Sequence, residues 1–292
     1  MLLDFGPTSH SFVSHGLRLH YVDWGNEGAP PLVLVHGGLD HCRNWDWIAQ
    51  RFRHEYHVIA PDLRGHGDSA WSPGGAYSIA NHIYDLQQLL RQKTPHPVSI
   101  VSHSLGGAIS LLYTGLFPET VTRLVVIEGT VQLQFNIKPI AERMTDWIER
   151  LRNISGRLPR RYPTIEAAFQ RMQAENPHLS EARARHLTIH GVKQNEDGTY
   201  SWKFDNYARP ISPNPFTPDE IAELWARITC PTLLVYGSES WVKPPEALGV
   251  DAHFKSATTR MVEGAGHWVH HDREEVFYAM VKPFLETGIV PA

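Results

Sequence analysis

The run Val101-Ser102-His103-Ser104-Leu105-Gly106-Gly107 holds the most chemistry in this chain. A short apolar segment, Pro97 to Val101, precedes it, and a helix-like segment, Ala108 to Phe117, follows. A strand that turns sharply into a helix through small-x-Ser-x-Gly is a nucleophile elbow, whose tight geometry pushes the serine hydroxyl out at the strand tip. The helix behind Ser104 offers backbone N–H groups and a positive dipole end, where a developing oxyanion can be held. Ser102 stands where the usual pattern has glycine. Taken alone, the run also fits an ordinary serine in a Gly-rich turn.

A serine hydroxyl is a poor nucleophile until a base takes its proton, and imidazole titrates near neutral pH. The chain has 18 histidines, so position rather than residue type must decide. His267, in Glu263-Gly264-Ala265-Gly266-His267-Trp268, lies just past the last strand-like run, where a loop reaches over the sheet edge to the elbow. The apolar run Leu32 to Val35 ends in His36-Gly37-Gly38-Leu39, which sets the N–H of Gly38 facing that of Leu105 as an oxyanion hole. His36 and His103 adjoin these groups and are expected to make structural hydrogen bonds. His270 and His271 are expected at the surface, at the start of the last helix. No histidine or cysteine cluster has persuasive ligand spacing, so no metal site is expected.

With Pro61-Asp62-Leu63-Arg64-Gly65-His66-Gly67-Asp68-Ser69 after another short strand, these stretches resemble the α/β-hydrolase family in order and spacing, from about Tyr21 to the C-terminus. The resemblance implies an α/β fold: a mostly parallel central sheet, helices on both faces and an inserted, mainly helical cap. It also implies a carboxylate that fixes the tautomer of His267 and stabilises the imidazolium. In most of the family that acid lies three residues after the glycine ending the seventh strand. Here the strand ends at Gly237, and the position holds Ser240, which cannot carry the charge. Two replacements are available. Glu239 lies one residue earlier on the same loop; otherwise it is a solvated loop residue. Glu128 ends the strand beside the elbow strand, where some haloalkane dehalogenases of this fold place their acid; otherwise it is a buried anchor for the cap linker. We favour Glu128, because a carboxylate at the end of a buried strand needs a partner, and keep both open.

The elements that must position these groups follow from patterning. Phe12-Val13 and Leu17 to Val22 flank Ser14-His15-Gly16 as an antiparallel hairpin. Strand-like runs at 32–36, 57–60, 97–102 and 122–127 alternate with helical segments near 43–53, 78–92 and 105–117, the rhythm of a parallel sheet. That rhythm breaks after Ile127 and returns at Thr232 to Tyr236, followed by a last strand over 259–263. The expected division is a core of 1–130 and 230–292 with a cap of 131–229. Within the cap, Ile140, Met144, Trp147, Ile148 and Leu151 form one helical stripe, and Ile165, Ala168, Phe169 and Met172 another. A helix from Ser180 to His190 and an Asp197-Gly198 hairpin follow, and the stretch Asn176 to Leu187 with this hairpin resembles the serine-hydrolase-like branch of the family. Tyr200, Trp202 and Phe204 alternate on one face; they either line an acyl pocket over Ser104 or pack the cap onto the sheet. Thr217-Pro218-Asp219-Glu220 reads as a capping box. Asp272 and Glu275 have the same spacing at the last helix, which Pro283 is expected to kink or end.

At 292 residues with 42% hydrophobic and 20% charged residues, the chain can bury a large core. A net charge of −4 argues against a nucleic-acid partner. No apolar run reaches the roughly 18 residues of a membrane span, and no secretory signal is visible at Met1 to Asp4. Cys42 and Cys230 do not suggest a disulfide framework, so a reducing, cytoplasmic location is the simplest reading. The expectation is a serine hydrolase that forms an acyl-enzyme on Ser104 from a small-molecule carboxylic ester, lactone or thioester and needs no dissociable cofactor. Dehalogenase and carbon-side epoxide chemistry, which use a carboxylate nucleophile, are disfavoured. The rivals are cofactor-free peroxidase or lyase chemistry and a ligand-binding member of the fold that hydrolyses little.

Overall fold

Hairpin strands β1 (Thr8–Ser14) and β2 (Leu17–Asp23) are joined by His15 and Gly16, both at positive φ (50° and 75°). A two-residue turn of this hand matches the twist of the strands it connects. The computed structural model describes residues 6–94, 97–130, 137–157, 159–210 and 212–290. After the hairpin come β3 (Pro31–Val35), α1 (Asp46–Phe52), β4 (His57–Pro61), α2 (Ile79–Lys93), β5 (Val98–His103), α3 (Leu105–Leu116) and β6 (Val121–Ile127). Between β6 and the returning sheet lie α4 (Ile140–Ile154), α5 (Ile165–Glu175), α6 (Glu181–Gly191), β7 (Val192–Gln194), β8 (Tyr200–Trp202) and α7 (Pro218–Ala226). The chain closes with β9 (Thr232–Gly237), α8 (Pro245–Leu248), β10 (Ala257–Val262), α9 (Val269–Asp272) and α10 (Glu274–Thr287).

The main sheet has eight strands in the order β1-β2-β4-β3-β5-β6-β9-β10, parallel from β4 onward. Strands β4, β5 and β9 are buried at every position because both faces of the sheet are covered. Val33, Ile100 and Leu124 point to the α2–α3–α7 side, while Leu32, Leu34, Val101 and Val125 point to the α1–α10 side. Ser102, the departure from glycine in the elbow motif, is fully buried and donates its hydroxyl to the Val125 carbonyl at 3.2 Å.

The insertion is tied to the core by directed bonds. Tyr77 donates its hydroxyl to Asp205 at 2.5 Å, Trp71 Nε1 donates to the Lys203 carbonyl at 2.8 Å, and His41 Nε2 donates to the Leu187 carbonyl at 3.0 Å. The Thr217–Glu220 capping box forms in full and opens α7, which packs Ile221, Leu224 and Trp225 into the core beside α3. The α5 stripe buries Ala168 and Phe169, the latter against Leu179, Ala184 and Leu187.

Four details differ from the sequence reading. The α4 stripe forms but is not buried, and Ile140 and Ile148 are exposed. Asp272 does not cap α10; its carboxylate accepts from Gly266 N–H at 2.8 Å and shapes the loop before His267. Pro283 does not end α10, which runs on to Thr287 with Val281, Phe284 and Leu285 buried around it. His270 and His271 are buried, not surface residues, because α9 packs against Asn44, Trp45 and Trp47. The His270 ring stacks on Trp45 at 4.5 Å and its Nε2 bonds Asn44 Oδ1 at 2.7 Å. Cys42 and Cys230 are both free and buried.

Candidate active site

Ser104 sits between β5 and α3 with φ 51° and ψ −117°, a backbone geometry that costs energy for a side-chain-bearing residue. Its N–H donates to the Ile127 carbonyl at 2.8 Å, which pins the turn to the neighbouring strand. The turn closes only because its neighbours lack side chains. A Cβ on Gly106 would lie 2.5 Å from the His36 carbonyl oxygen and 2.6 Å from that of Val35. Ser104 is largely buried and lines a cavity of about 670 Å³ with Gly38, Leu105, Ile79, Phe216 and Ile221. Gly38 and Leu105 face one another there, since a Cβ on Gly38 would stand 3.8 Å from Leu105 Cδ2.

Glu128 follows β6 with φ 51° and is fully buried. Its Oε1 accepts from Gly237 N–H at 2.9 Å, and its Oε2 accepts from the Ser240 hydroxyl at 2.7 Å and from Nδ1 of His267. A carboxylate only accepts, so this pairing puts the hydrogen of the neutral imidazole on Nδ1 and leaves the Nε2 lone pair available as a base. Glu239 is exposed and is not brought to His267. Its backbone N–H is bonded to the Ala265 carbonyl at 2.9 Å, while the side chain of the next residue, Ser240, turns toward Glu128. Sequence reasoning treated Ser240 as a vacant acid position; it is a hydrogen-bond donor to the carboxylate instead.

His103 Nε2 donates to the His267 carbonyl at 3.0 Å, with the two rings 4.6 Å apart, so the elbow and the base loop are joined directly. Burial, followed by the neighbouring His267, holds the His103 imidazole well below the usual histidine range. His36 accepts from Leu63 N–H at 3.0 Å, and burial together with His66 lowers it to about 3. Both rings are therefore neutral fixtures. Asp62 is held below the ordinary carboxylate range: burial would raise it, but the His20 hydrogen bond at 2.6 Å and the nearby imidazoles outweigh that cost.

Among the described residues, two groups bring metal-ligand atoms together: His20 with Cys42 and Asp62, and Asp46 with His186 and His190. In the first, Asp62 accepts from His20 Nδ1 and from the N–H groups of Cys42 and Asp68 at 2.7 and 2.8 Å. In the second, Arg43 Nε donates to both Asp46 oxygens at 2.8 and 2.7 Å. Both carboxylates are thus already engaged by protein donors. Trp202 and Phe204 line a second cleft beside the Ser104 cavity rather than the cavity itself. Trp202 and Tyr200 also pack against Tyr162, Ala168 and Val192 within the insertion, which neither reading of the aromatic stripe anticipated.

An elbow serine, a buried carboxylate–histidine pair and an eight-stranded, mostly parallel sheet define an α/β-hydrolase. The sequence pattern of the alpha/beta hydrolase fold family matches residues 30–274, and the chain belongs to that family. It is 26% identical over 267 residues to the esterase Rv0045c of Mycobacterium tuberculosis, covering 90% of this chain and 85% of that protein. It is 27% identical over 270 residues to the sn-1-specific diacylglycerol lipase ABHD11 of Mus musculus, covering 89% and 82%. Among solved structures, the thioesterase domain from the curacin biosynthetic pathway superposes with a TM-score of 0.85 at 22% identity, over 95% of this chain and all of that one. No helix among the described residues is long and apolar enough to cross a membrane.

Proposed function

We propose that this hydrolase cleaves carboxylic esters or related acyl compounds through an acyl-enzyme on Ser104. The observation that carries the reading is the fully buried Glu128 carboxylate paired with Nδ1 of His267, on the strand next to the elbow. His267 Nε2 takes the Ser104 proton as the hydroxyl attacks the carbonyl, and the N–H groups of Gly38 and Leu105 bind the tetrahedral oxyanion. His267 then protonates the leaving group and activates water for deacylation, while Glu128 stabilises the imidazolium throughout. The segment 131–229 acts as the cap that roofs the cavity. Lactones and thioesters suit the same machinery. In this reading Glu128 supplies the carboxylate that Ser240 cannot, so the absence of an acid at position 240 does not favour a non-catalytic, ligand-binding member of the fold.

The test is hydrolysis of p-nitrophenyl esters from acetate to octanoate by the wild type and Ser104→Ala. The expected result is a burst of p-nitrophenol stoichiometric with enzyme, followed by slower turnover, and a loss of about 10⁴-fold or more in Ser104→Ala. Turnover retained by a folded Ser104→Ala protein would reject the mechanism.

A further inference from the structure

The cleft beside the Ser104 cavity is the richer of the two in cations: the Ser104 cavity has Arg150, Glu220 and Arg209, and Arg209 lines both spaces. The cleft encloses about 610 Å³, begins at Gly38 and Leu39, and continues beneath the insertion past α4, α5 and β8. Arg157, Arg160, Arg171, Lys203 and Arg209 line it, against only two acids, Asp40 and Glu175. Glu175 is paired with Arg171, and Lys203 is paired with Asp68 at 2.9 Å. Asp40 is buried, and that burial pushes its carboxyl up to about 7. Arg157, Arg160 and Arg209 have no carboxylate partner among the described residues. Arg160 lies over the Tyr162 ring at 5.3 Å and Arg209 over the Phe204 ring at 5.0 Å, with Arg209 Nε donating to Asn206 Oδ1 at 3.3 Å. The whole chain carries a net charge of −4, so this concentration of cations runs against the global balance.

The two spaces also differ in which catalytic group they adjoin. Ser104 and the apolar side chains of Ile79, Leu105, Phe216 and Ile221 line the first. Trp268, the residue after His267, lines the second. An acyl chain suits the first space, and the loop that carries His267 reaches the second through Trp268. Resting on the acyl-transfer reading above, we propose that the physiological substrate is an acyl ester or thioester whose leaving alcohol or thiol carries phosphate, with that phosphate held by the arginines of the second cleft. The guanidinium fork matches paired phosphate oxygens, and three such groups suit a polyanion better than a single carboxylate. In the reaction, the Ser104 Oγ–acyl bond forms as the acyl–sulfur or acyl–oxygen bond breaks. The Ser104 proton passes through His267 Nε2 to the leaving atom, and water then releases the acid and restores Ser104.

Octanoyl-4′-phosphopantetheine and octanoyl-pantetheine share the acyl group and the thiol arm and differ only in phosphate. The wild type is expected to favour the first by about tenfold or more in kcat/KM, and the preference should shrink in 0.5 M NaCl as charges are screened. Arg160→Gln/Arg209→Gln, at two exposed positions, should lower that ratio about tenfold, mainly through KM. Equal kcat/KM for the two thioesters, or a ratio unmoved in the double variant, overturns the proposal. A binding arm separates this failure from failure of the hydrolase reading: calorimetric titration of coenzyme A into Ser104→Ala, with and without the two arginine substitutions. Arginine-dependent binding without turnover of any ester by wild type keeps the anion cleft and removes the acyl-transfer reading. No binding overturns the cleft itself.

Discussion

Replacing Glu128 with glutamine should cost catalysis far more than stability. Three donors converge on the Glu128 carboxylate: Gly237 N–H, the Ser240 hydroxyl and His267 Nδ1–H. A glutamine offers one acceptor oxygen and one NH2 in the same space. If its oxygen stays on Gly237, the NH2 faces His267, and the imidazole must move its hydrogen to Nε2, the atom that has to accept the Ser104 proton. If the amide flips, the NH2 opposes Gly237 N–H and one buried donor goes unmet, at about 1–3 kcal/mol. The enzyme therefore either adopts the wrong tautomer or loses stability to keep the right one. The expected loss in kcat is about 10³ to 10⁴-fold, or roughly 4 to 5.5 kcal/mol of transition-state stabilisation, with KM little changed. Steady-state hydrolysis of p-nitrophenyl butyrate, with a thermal melt of the same sample, reads both quantities. The companion variant is Glu128→Gln/Ser240→Asp. Ser240 Oγ stands 2.7 Å from the carboxylate oxygen that contacts His267, so a carboxylate grown at 240 reaches the ring and should recover much of the lost rate. A kcat for Glu128→Gln within about fivefold of wild type, or a loss of orders of magnitude in Glu239→Gln instead, refutes the reasoning.

Acid should destabilise the protein below about pH 6. Burial lowers His36 and His271 to about 3, and His82, His103 and His270 lie well below the usual range for the same first reason. A histidine lowered in the folded state binds fewer protons there than when unfolded, so its contribution is present above about 6.5 and is lost as pH falls toward 3. His36 and His271 each give up roughly 1–2 kcal/mol between pH 8 and 5.5, whereas Asp40, raised to about 7, regains a similar amount over that range. The histidines outnumber it, and a Tm that is flat or rising from pH 8 to 5.5 contradicts this balance. Neither ring nitrogen of buried His271 has a hydrogen-bond partner among the described residues, so His271→Leu should raise Tm and reduce the acid sensitivity. Gly106→Ala should cost about 3 kcal/mol or prevent folding, because its Cβ meets backbone that cannot yield; an unchanged Tm argues against the tight elbow. Arg64→Met removes the cation paired with buried Asp85 (Arg64 Nε at 2.5 Å) and leaves it the Ser14 hydroxyl at 2.6 Å, which should cost about 3–5 kcal/mol in chemical denaturation.

The sheet was legible because parallel strands covered on both faces are continuous apolar runs, and those from Leu32 to Tyr236 stand out as such. The elbow was legible because close backbone approach demands small residues at fixed offsets. Side-chain direction in loops was not legible. Sequence favours Glu128 over Glu239 but cannot decide between them; in the structure Glu239 N–H bonds the Ala265 carbonyl and the side chain of 240, not 239, turns toward Glu128. The polar run His270-His271-Asp272 reads as a helix start at the surface, yet a packing neighbour 226 positions away, Asn44, receives His270. Asp272 has capping-box spacing with Glu275, but the loop amide of Gly266 takes its carboxylate. Pairings at such separation leave no local periodicity to read.

Rooting the acid in β6 changes what the rest of the molecule is free to do. Ser104 and Glu128 extend from adjacent strands whose ends are in register, His103 with Ile127, and the base is tethered to both strands through His103 and Glu128. In the proposed mechanism the catalytic spacing is thereby fixed by the sheet, as if by a jig, and the stretch from Ser238 to Val250 adds the Ser240 hydroxyl and the bonds of Ser238 and Glu239 to the loop before His267. That stretch also carries Trp241, 71% exposed with its ring 5.4 Å from that of His267. Insertions or substitutions beyond Ser240 can therefore remodel the rim of the site, and with it the range of substrates admitted, without detuning the base. For directed evolution, this loop is the natural place to diversify.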